Sequence, residues 1–187
     1  MMNKVNWRAL THCGSKIKHY EQETFNEISW QCLKSVKGNN TEKFLNQYTY
    51  IYIKEEVFRK RLFERIIHYL SVNEFSIVSD IKLPLGRMES HCLWRYQWNA
   101  ASADRIRLTE LIYANSTGHL LILRDNLWSG FIPASTRLYT LKGSSKFPEM
   151  RTERHIRTLV GMRNRVMTFI HCPDCLLYTS PSPRDRG

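Results

Sequence analysis

The sequence lacks any long hydrophobic run, because no stretch approaches the roughly 18 consecutive apolar residues that a membrane-spanning helix needs. Residues 1–20, which we expect to form a separate N-terminal segment, carry positive charge without the apolar centre of a secretory signal. The short motifs of several enzyme classes are missing too. No glycine-rich phosphate loop, Gly-x-Ser-x-Gly or His-Glu-x-x-His occurs. Function must therefore be argued from charge and hydrophobic pattern.

Acidic residues are scarce, since 17 Asp and Glu stand against 28 Lys and Arg and give a formal net charge of +11. This balance favours acidic partners, with nucleic acid ahead of anionic membranes, although a merely solubilising surface has the same composition. The apolar fraction of 42% and the aromatic fraction of 12% indicate a folded chain. We therefore expect a basic folded domain with RNA or DNA as its partner.

Cysteine is too sparsely and irregularly placed to form a disulfide framework. The five cysteines are scattered, which indicates a reduced, intracellular (cytoplasmic) protein. Cys172 and Cys175 form a Cys-x-x-Cys beside His171, but a zinc site needs four ligands and no partner pair has finger-like spacing. A redox pair usually begins a helix, whereas this one follows a predicted helix. We therefore predict no metal and no cofactor.

Hydrophobic periodicity predicts a single α+β domain over residues 21–172. Helical spacing of apolar residues predicts N-terminal helices over 21–36 and 54–71. Alternation with period two and short polar turns predicts a central antiparallel β-meander over 75–141. The helical period then returns and predicts a C-terminal basic amphipathic helix over 149–170. The core residues expected for the meander are Ile77, Ile81, Trp94, Ile106, Leu108 and Leu121.

Residues 173–187 have neither apolar period nor partner pattern. The string LLYTSPSPRD within them resembles translated adapter or vector read-through, a resemblance that implies no biochemical function. We expect these residues to be a disordered, non-native tail, because they bury too little apolar surface to offset the entropy of ordering. The native C-terminus would then be missing.

Arginine-rich stretches on the predicted helices are the first candidate site. A cationic helix face binds a phosphate backbone favourably because counterions are released on binding. Arginine matches the geometry of phosphate better than lysine does. The alternative is a solvated face in which each arginine pairs with a neighbouring glutamate. The candidate nucleic-acid-binding residues are Arg59, Lys60, Arg61, Arg65, Arg151, Arg154, Arg157, Arg163 and Arg165.

Acidic residues offer a weaker second pattern. Asp80, Glu89, His91 and Glu110 are spread over predicted strands and turns, in an arrangement that distantly matches a metal-dependent nuclease. The spacing is short and common by chance, so surface carboxylates are the preferred interpretation.

A third pattern lies in MRNRVMTFIH, where Arg163, Arg165 and His171 occur together. It resembles the Arg-Asn-x-x-x-His helix motif of HEPN-type ribonucleases, a resemblance that implies metal-independent RNA cleavage by an arginine and a histidine. Thr168 occupies the usual histidine position, and a sheet-rich middle is foreign to a helical HEPN bundle.

Three functional hypotheses follow. The preferred one is a nucleic-acid-binding domain that contacts phosphates through arginine-rich helices. The second is a HEPN-like ribonuclease that uses Arg163 or Arg165 with His171. The third is a structural or protein-interaction domain whose positive charge is incidental.

Overall fold

The computed structural model describes residues 5–11, 14–100, 102–113, 116–144, 147–162, 168–173 and 175–177; within the described helices, the side chains of residues 15, 19, 24 and 95–100 are not among those described. The chain is α+β, as predicted, and the described strands form one four-stranded antiparallel sheet in the order β2-β3-β1-β4. The strands are β1 (Tyr48–Ile53), β2 (Phe75–Leu85), β3 (Ser116–Asp125) and β4 (Ile170–His171). The helices are α1 (Trp7–Leu10), α2 (Ile17–Gln22), α3 (Thr24–Lys37), α4 (Thr41–Gln47), α5 (Glu55–Arg59), α6 (Phe63–Val72), α7 (Arg87–Ala100), α8 (Ala103–Tyr113), α9 (Ala134–Lys142) and α10 (Ile156–Leu159).

The central strand β1 has two buried faces because β-formers of different size alternate along it. Ile51 and Ile53 face a cluster that includes Leu70 of α6 and Leu138 of α9. Tyr50 and Tyr52 lie in a second cluster with residues of α7 and α8. The sheet therefore separates two layers of helices, and strand β4 enters it beside β1, with His171 opposite Tyr52.

The predicted meander over 75–141 is only partly correct. Strands β2 and β3 lie where the period-two pattern places them, and they pair antiparallel. The alternating stretches between them are helices α7 and α8, and the stretch expected to be a last strand is α9. In α8, the partly buried Ile106 and the buried Tyr113 are seven residues apart, which is two helical turns. The buried face of α8 therefore follows the helical period and not the period of two that a strand has.

The predicted core residues divide accordingly. Leu121 is fully buried, Trp94 is 5% exposed, and Ile106 is partly buried in the second cluster. Ile77, Ile81 and Leu108 are each 40% exposed or more. Ile77 and Ile81 lie on β2, which is an edge strand of the described sheet and hydrogen-bonds to β3 alone.

The N-terminal helices lie close to their predicted ranges. Helix α3 ends at Gly38, whose φ of 56° favours glycine. The predicted helix over 54–71 is instead two helices, α5 and α6. Arg61 separates them with a φ of 55°, in the left-handed region that a helix cannot contain.

The predicted C-terminal basic helix over 149–170 is wrong. Its described residues form a 3₁₀ turn at Pro148–Met150, the four-residue helix α10 and strand β4. Residues 163–167 lie outside the described part of the chain. The apolar residues expected on one helix face are divided between two elements, because Ile156 and Val160 reach the core cluster from α10 and Ile170 reaches it from β4.

The beginning of the predicted tail packs against the domain. Cys175 and Leu177 are buried with Trp7, Leu10 and other N-terminal residues, and Leu176 contacts both this cluster and the one beside α7 and α8. Residues 174 and 178–187 lie outside the described part, so the expectation of disorder remains a prediction for them. None of the described helices is long and apolar enough to cross a membrane.

Candidate phosphate site around a buried histidine

His171 occupies the centre of the candidate site because the short strand β4 carries it into the sheet beside β1. Its side chain is 7% exposed, and the indole Nε1 of Trp94 donates a hydrogen bond to its Nδ1 at 3.2 Å. The two rings meet nearly edge to face, at 78° with centroids 5.8 Å apart. The indole hydrogen bond therefore identifies Nδ1 as the ring nitrogen with a lone pair.

The histidine is held in its neutral form. Burial is the largest influence, followed by the positive charges of Lys142, Lys54, Arg157 and Lys16, and together they lower the pKa of His171 well below its usual value. A neutral imidazole that accepts at Nδ1 carries its proton on Nε2. Nε2 is buried and has no hydrogen-bond partner among the described residues.

Lys54 follows the last residue of β1 and is 2% exposed. Its Nζ donates to Thr168 Oγ1 at 3.1 Å and lies 3.7 Å from the centroid of the Tyr113 ring. Burial lowers the pKa of Lys54 to about 7, Arg157 adds to the effect, and Glu56 opposes it. Lys54 is therefore a buried amine in contact with a hydroxyl and an aromatic ring, with a weakened affinity for its proton.

Three further buried basic residues lower the pKa of the histidine through their positive charge. Lys142, at the end of α9, donates from Nζ to the carbonyl oxygen of Cys172 at 3.2 Å. Arg157, on α10, donates from Nη1 to the carbonyl oxygen of Gly143 at 2.6 Å. Lys16 is 1% exposed. Because desolvating a cation costs several kcal/mol, such a group of buried positive charges marks a place suited to an anion with several charges.

The predicted nucleic-acid-binding residues lie in several places. Arg59 forms an ion pair with Glu55 at 2.7 Å. Lys60, Arg61, Arg65 and Arg154 are exposed, and Arg65 and Arg154 line one groove beside α6. The side chain of Arg151 donates to the carbonyl oxygens of Pro148 and Met162. Arg157 is buried, and Arg163 and Arg165 lie outside the described residues.

Of the acidic pattern, His91 and Glu110 lie in contact, whereas Asp80 is paired with another residue. Asp80 contacts His119 across β2 and β3 at 2.8 Å. Glu110 on α8 contacts Arg87 at 3.2 Å and His91 at 3.7 Å, which ties α7 to α8. Cys172 and Cys175 are buried. In the part of the chain that the structure describes, no three His, Cys, Asp or Glu residues lie close enough to hold a metal ion.

Comparisons with known proteins identify the fold. No protein family and no curated protein matches the sequence. Among solved structures, the nucleoside diphosphate kinase of Halobacterium salinarum in complex with CDP is similar, with a TM-score of 0.52, 12% identity, and coverage of 68% of this chain and 77% of that one. The nucleoside diphosphate kinase of Encephalitozoon cuniculi gives a TM-score of 0.53 and 14% identity over 70% of this chain and 81% of that one. The chain therefore shares the fold of these kinases.

This fold overturns the functional hypotheses drawn from the sequence. The nucleic-acid-binding prediction is wrong, because the chain has the fold of nucleoside diphosphate kinases and the described residues of the predicted basic C-terminal helix form other elements. The HEPN-like ribonuclease is wrong for the same reason, since a four-stranded sheet stands where that class has a helical bundle. Incidental surface charge does not describe the site either, because Lys16, Lys54, Lys142 and Arg157 are buried.

Sequence reasoning identified His171 and Arg157 but gave them other roles, and it missed Lys16, Lys54 and Lys142. One signal was available for Lys54, a lone lysine directly after the apolar strand Tyr48–Ile53. A charged residue at a buried strand end is unusual and points to function. Nothing in the local sequence of Lys16 or Lys142 distinguishes them from surface lysines.

Proposed function

We propose that the chain binds the phosphates of a nucleoside di- or triphosphate and transfers a phosphoryl group through His171. The observation that carries this proposal is the set of four buried basic residues whose charges act on one buried histidine. The fold supports it, because a protein with the same fold is solved in complex with CDP. An intracellular location, where nucleoside triphosphates are held, belongs to the same proposal.

The chemistry follows from the state of the imidazole. Nδ1 has the lone pair and attacks the terminal phosphorus of a nucleoside triphosphate, so an N–P bond forms while the P–O bond to the leaving nucleoside diphosphate breaks. A second nucleoside diphosphate then attacks the phosphorus and the N–P bond breaks. Lys54, Lys142 and Arg157 stabilise the negative charge that develops on the phosphate oxygens.

Trp94 must leave His171 before the reaction begins, because its indole N–H occupies the Nδ1 lone pair. The backbone gives this movement a place to occur. Within helix α7, Trp94 has φ −120° and ψ 24°, which are outside helical values. In the proposal, the incoming phosphate replaces the indole as the neighbour of Nδ1.

Equilibrium binding by calorimetry tests the phosphate site. ADP and ATP should bind the wild-type chain, and Lys142→Met should weaken binding about tenfold or more, as expected when a charge-assisted hydrogen bond is lost. Arg59→Met is the matched control, because Arg59 is an exposed cation paired with Glu55 away from the site. Equal affinities of the two variants for ADP would contradict the proposed site.

A further inference from the structure

A groove beside helix α6 is lined by none of the residues whose charges act on His171. Its volume is about 820 Å³, and its lining residues include Leu141 of α9 and Leu159 of α10 as well as residues of α6. The Tyr69 hydroxyl joins these elements, because it donates to the carbonyl oxygen of Arg154 and lies 3.4 Å from that of Leu141. Pockets that bind small molecules typically have a volume of this order.

The lining of the groove is largely apolar and open to solvent. Val72, at the end of α6, is 66% exposed, and Leu141 and Leu159 are only partly buried. Two polar residues of the lining already use their donors. The Tyr69 hydroxyl donates to a carbonyl oxygen, and the Asn73 amide donates to the carbonyl oxygen of Tyr69 at 2.8 Å. A ligand with an apolar body would therefore bury the exposed apolar surface here.

The polar groups that remain for a ligand are charged or basic. Arg65, His68 and Arg154 line the groove, and their side chains form no hydrogen bond or ion pair with the residues that the structure describes. On α6, Arg65 lies one turn before Tyr69, so the two residues share the face that lines the groove. Glu64 also lines it, and the two arginines with this one glutamate give a formal net charge of +1. One anionic group would neutralise that charge.

We propose that this groove binds a small monocarboxylate with an apolar chain or ring, and that the carboxylate pairs with Arg65 and Arg154. A guanidinium donates two parallel hydrogen bonds to a carboxylate, which fixes that end of the ligand. The apolar body lies along Val72 and Leu159, where its contact with water is lost. The single excess positive charge favours a ligand with one negative charge over a nucleotide, which carries several. The site is therefore distinct from the phosphate site of the proposed function and does not depend on it.

Calorimetric titration with decanoate, at concentrations too low for micelles, tests this site, and decan-1-ol and decylammonium are the matched probes without negative charge. Decanoate should bind saturably, at one site per chain, and about tenfold or more tightly than either matched probe. Arg65→Met and Arg154→Met should each weaken decanoate binding about tenfold, because each removes a charge-assisted hydrogen bond. Arg107→Met is the control, since Arg107 is an exposed arginine of α8 outside the groove, and it should leave the affinity unchanged.

A second pair of variants tests the apolar part of the groove. Val72→Glu places another carboxylate on an exposed position of the lining and should weaken decanoate binding more than Val72→Gln, which adds no charge. Adding ADP should leave the affinity for decanoate unchanged. The inference would be overturned by a wild-type chain without saturable decanoate binding, by equal affinities of Arg65→Met, Arg154→Met and the wild type, or by equally tight binding of decylammonium. Displacement of decanoate by ADP would also overturn it, because the ligand would then lie at the phosphate site.

Discussion

Single residues set the chemistry of this chain through charges that are buried at some cost in stability. Lys54 and His171 each lose affinity for a proton because both are desolvated and because neighbouring cations act on them. A buried basic group of this kind lowers the free energy of unfolding but is well placed to bind an anionic ligand. Substitutions here should therefore change stability and binding in opposite directions.

Lys54→Met tests that opposition. Replacing the buried amine with an apolar side chain of similar length should leave the free energy of unfolding unchanged or raise it by about 1–4 kcal/mol. The same substitution should weaken ADP binding about tenfold or more. Urea denaturation and calorimetry measure the two effects. A large loss of stability in Lys54→Met would show that the amine supports the fold instead.

The pH dependence of stability gives a second test of Lys54. Its pKa is lowered from 10.5 in the unfolded chain to about 7 in the folded one, so the unfolded chain binds more protons between these values. The free energy of unfolding should therefore rise with pH from about 7 to 10.5, relative to Lys54→Met. Denaturation of both proteins across this range measures the difference. Parallel curves would contradict a lowered pKa.

At the scale of elements, the sequence predicts strands well where one type of residue dominates and poorly where types are mixed. The run Tyr48–Ile53 consists of β-formers and forms β1. The stretch from Cys92 to Trp98 alternates as a strand does, yet it belongs to α7, because long-range contacts of Leu93 and Trp94 with β1 residues decide its state. The site depends on the same long-range contacts, which explains why only His171 and Arg157 emerged from local pattern.

Leu108 and Leu121, which the predicted meander places in one core, distinguish that meander from the observed fold, in which Leu108 lies on helix α8. Leu121 on β3 is fully buried, so Leu121→Ala should lower the free energy of unfolding by about 2–5 kcal/mol. Leu108 on α8 is 46% exposed, so Leu108→Gln should change it by less than about 0.5 kcal/mol. Chemical denaturation measures both. A similar decrease in the free energy of unfolding in both variants would contradict helix α8 and favour a strand over residues 105–113.

An ion pair joins the end of β3 to helix α9, the helix that carries Lys142. Arg137 donates from Nε and Nη2 to the two carboxylate oxygens of Asp125, each at 2.7 Å, and Asp125 is 1% exposed. Arg137→Leu leaves a buried carboxylate without this partner and should lower the free energy of unfolding by about 3–5 kcal/mol. Thermal and urea denaturation measure the loss. Arg59→Leu, at an exposed ion pair, is the control and should cost less than about 1 kcal/mol.

For the whole molecule, the net charge of +11 is informative about function only when buried and exposed basic residues are considered separately. Several arginines are exposed, whereas Lys16, Lys54, Lys142 and Arg157 come from different parts of the chain, are buried, and act on one histidine through their charge. They come together only in the folded chain, where Lys54 follows β1, Lys142 ends α9, Arg157 lies on α10 and His171 lies on β4. The proposed phosphate site is argued from both the fold and this buried charge.

The most direct test is transfer of radiolabel from γ-labelled, magnesium-complexed ATP to the purified chain. The account predicts an acid-labile phosphoryl group on the peptide that contains His171, and its release when CDP is added. His171→Gln, which keeps a buried polar side chain without the imidazole, should take no label while still binding ADP. A wild-type chain that binds ADP without becoming labelled, or equal labelling of His171→Gln, would contradict the central claim.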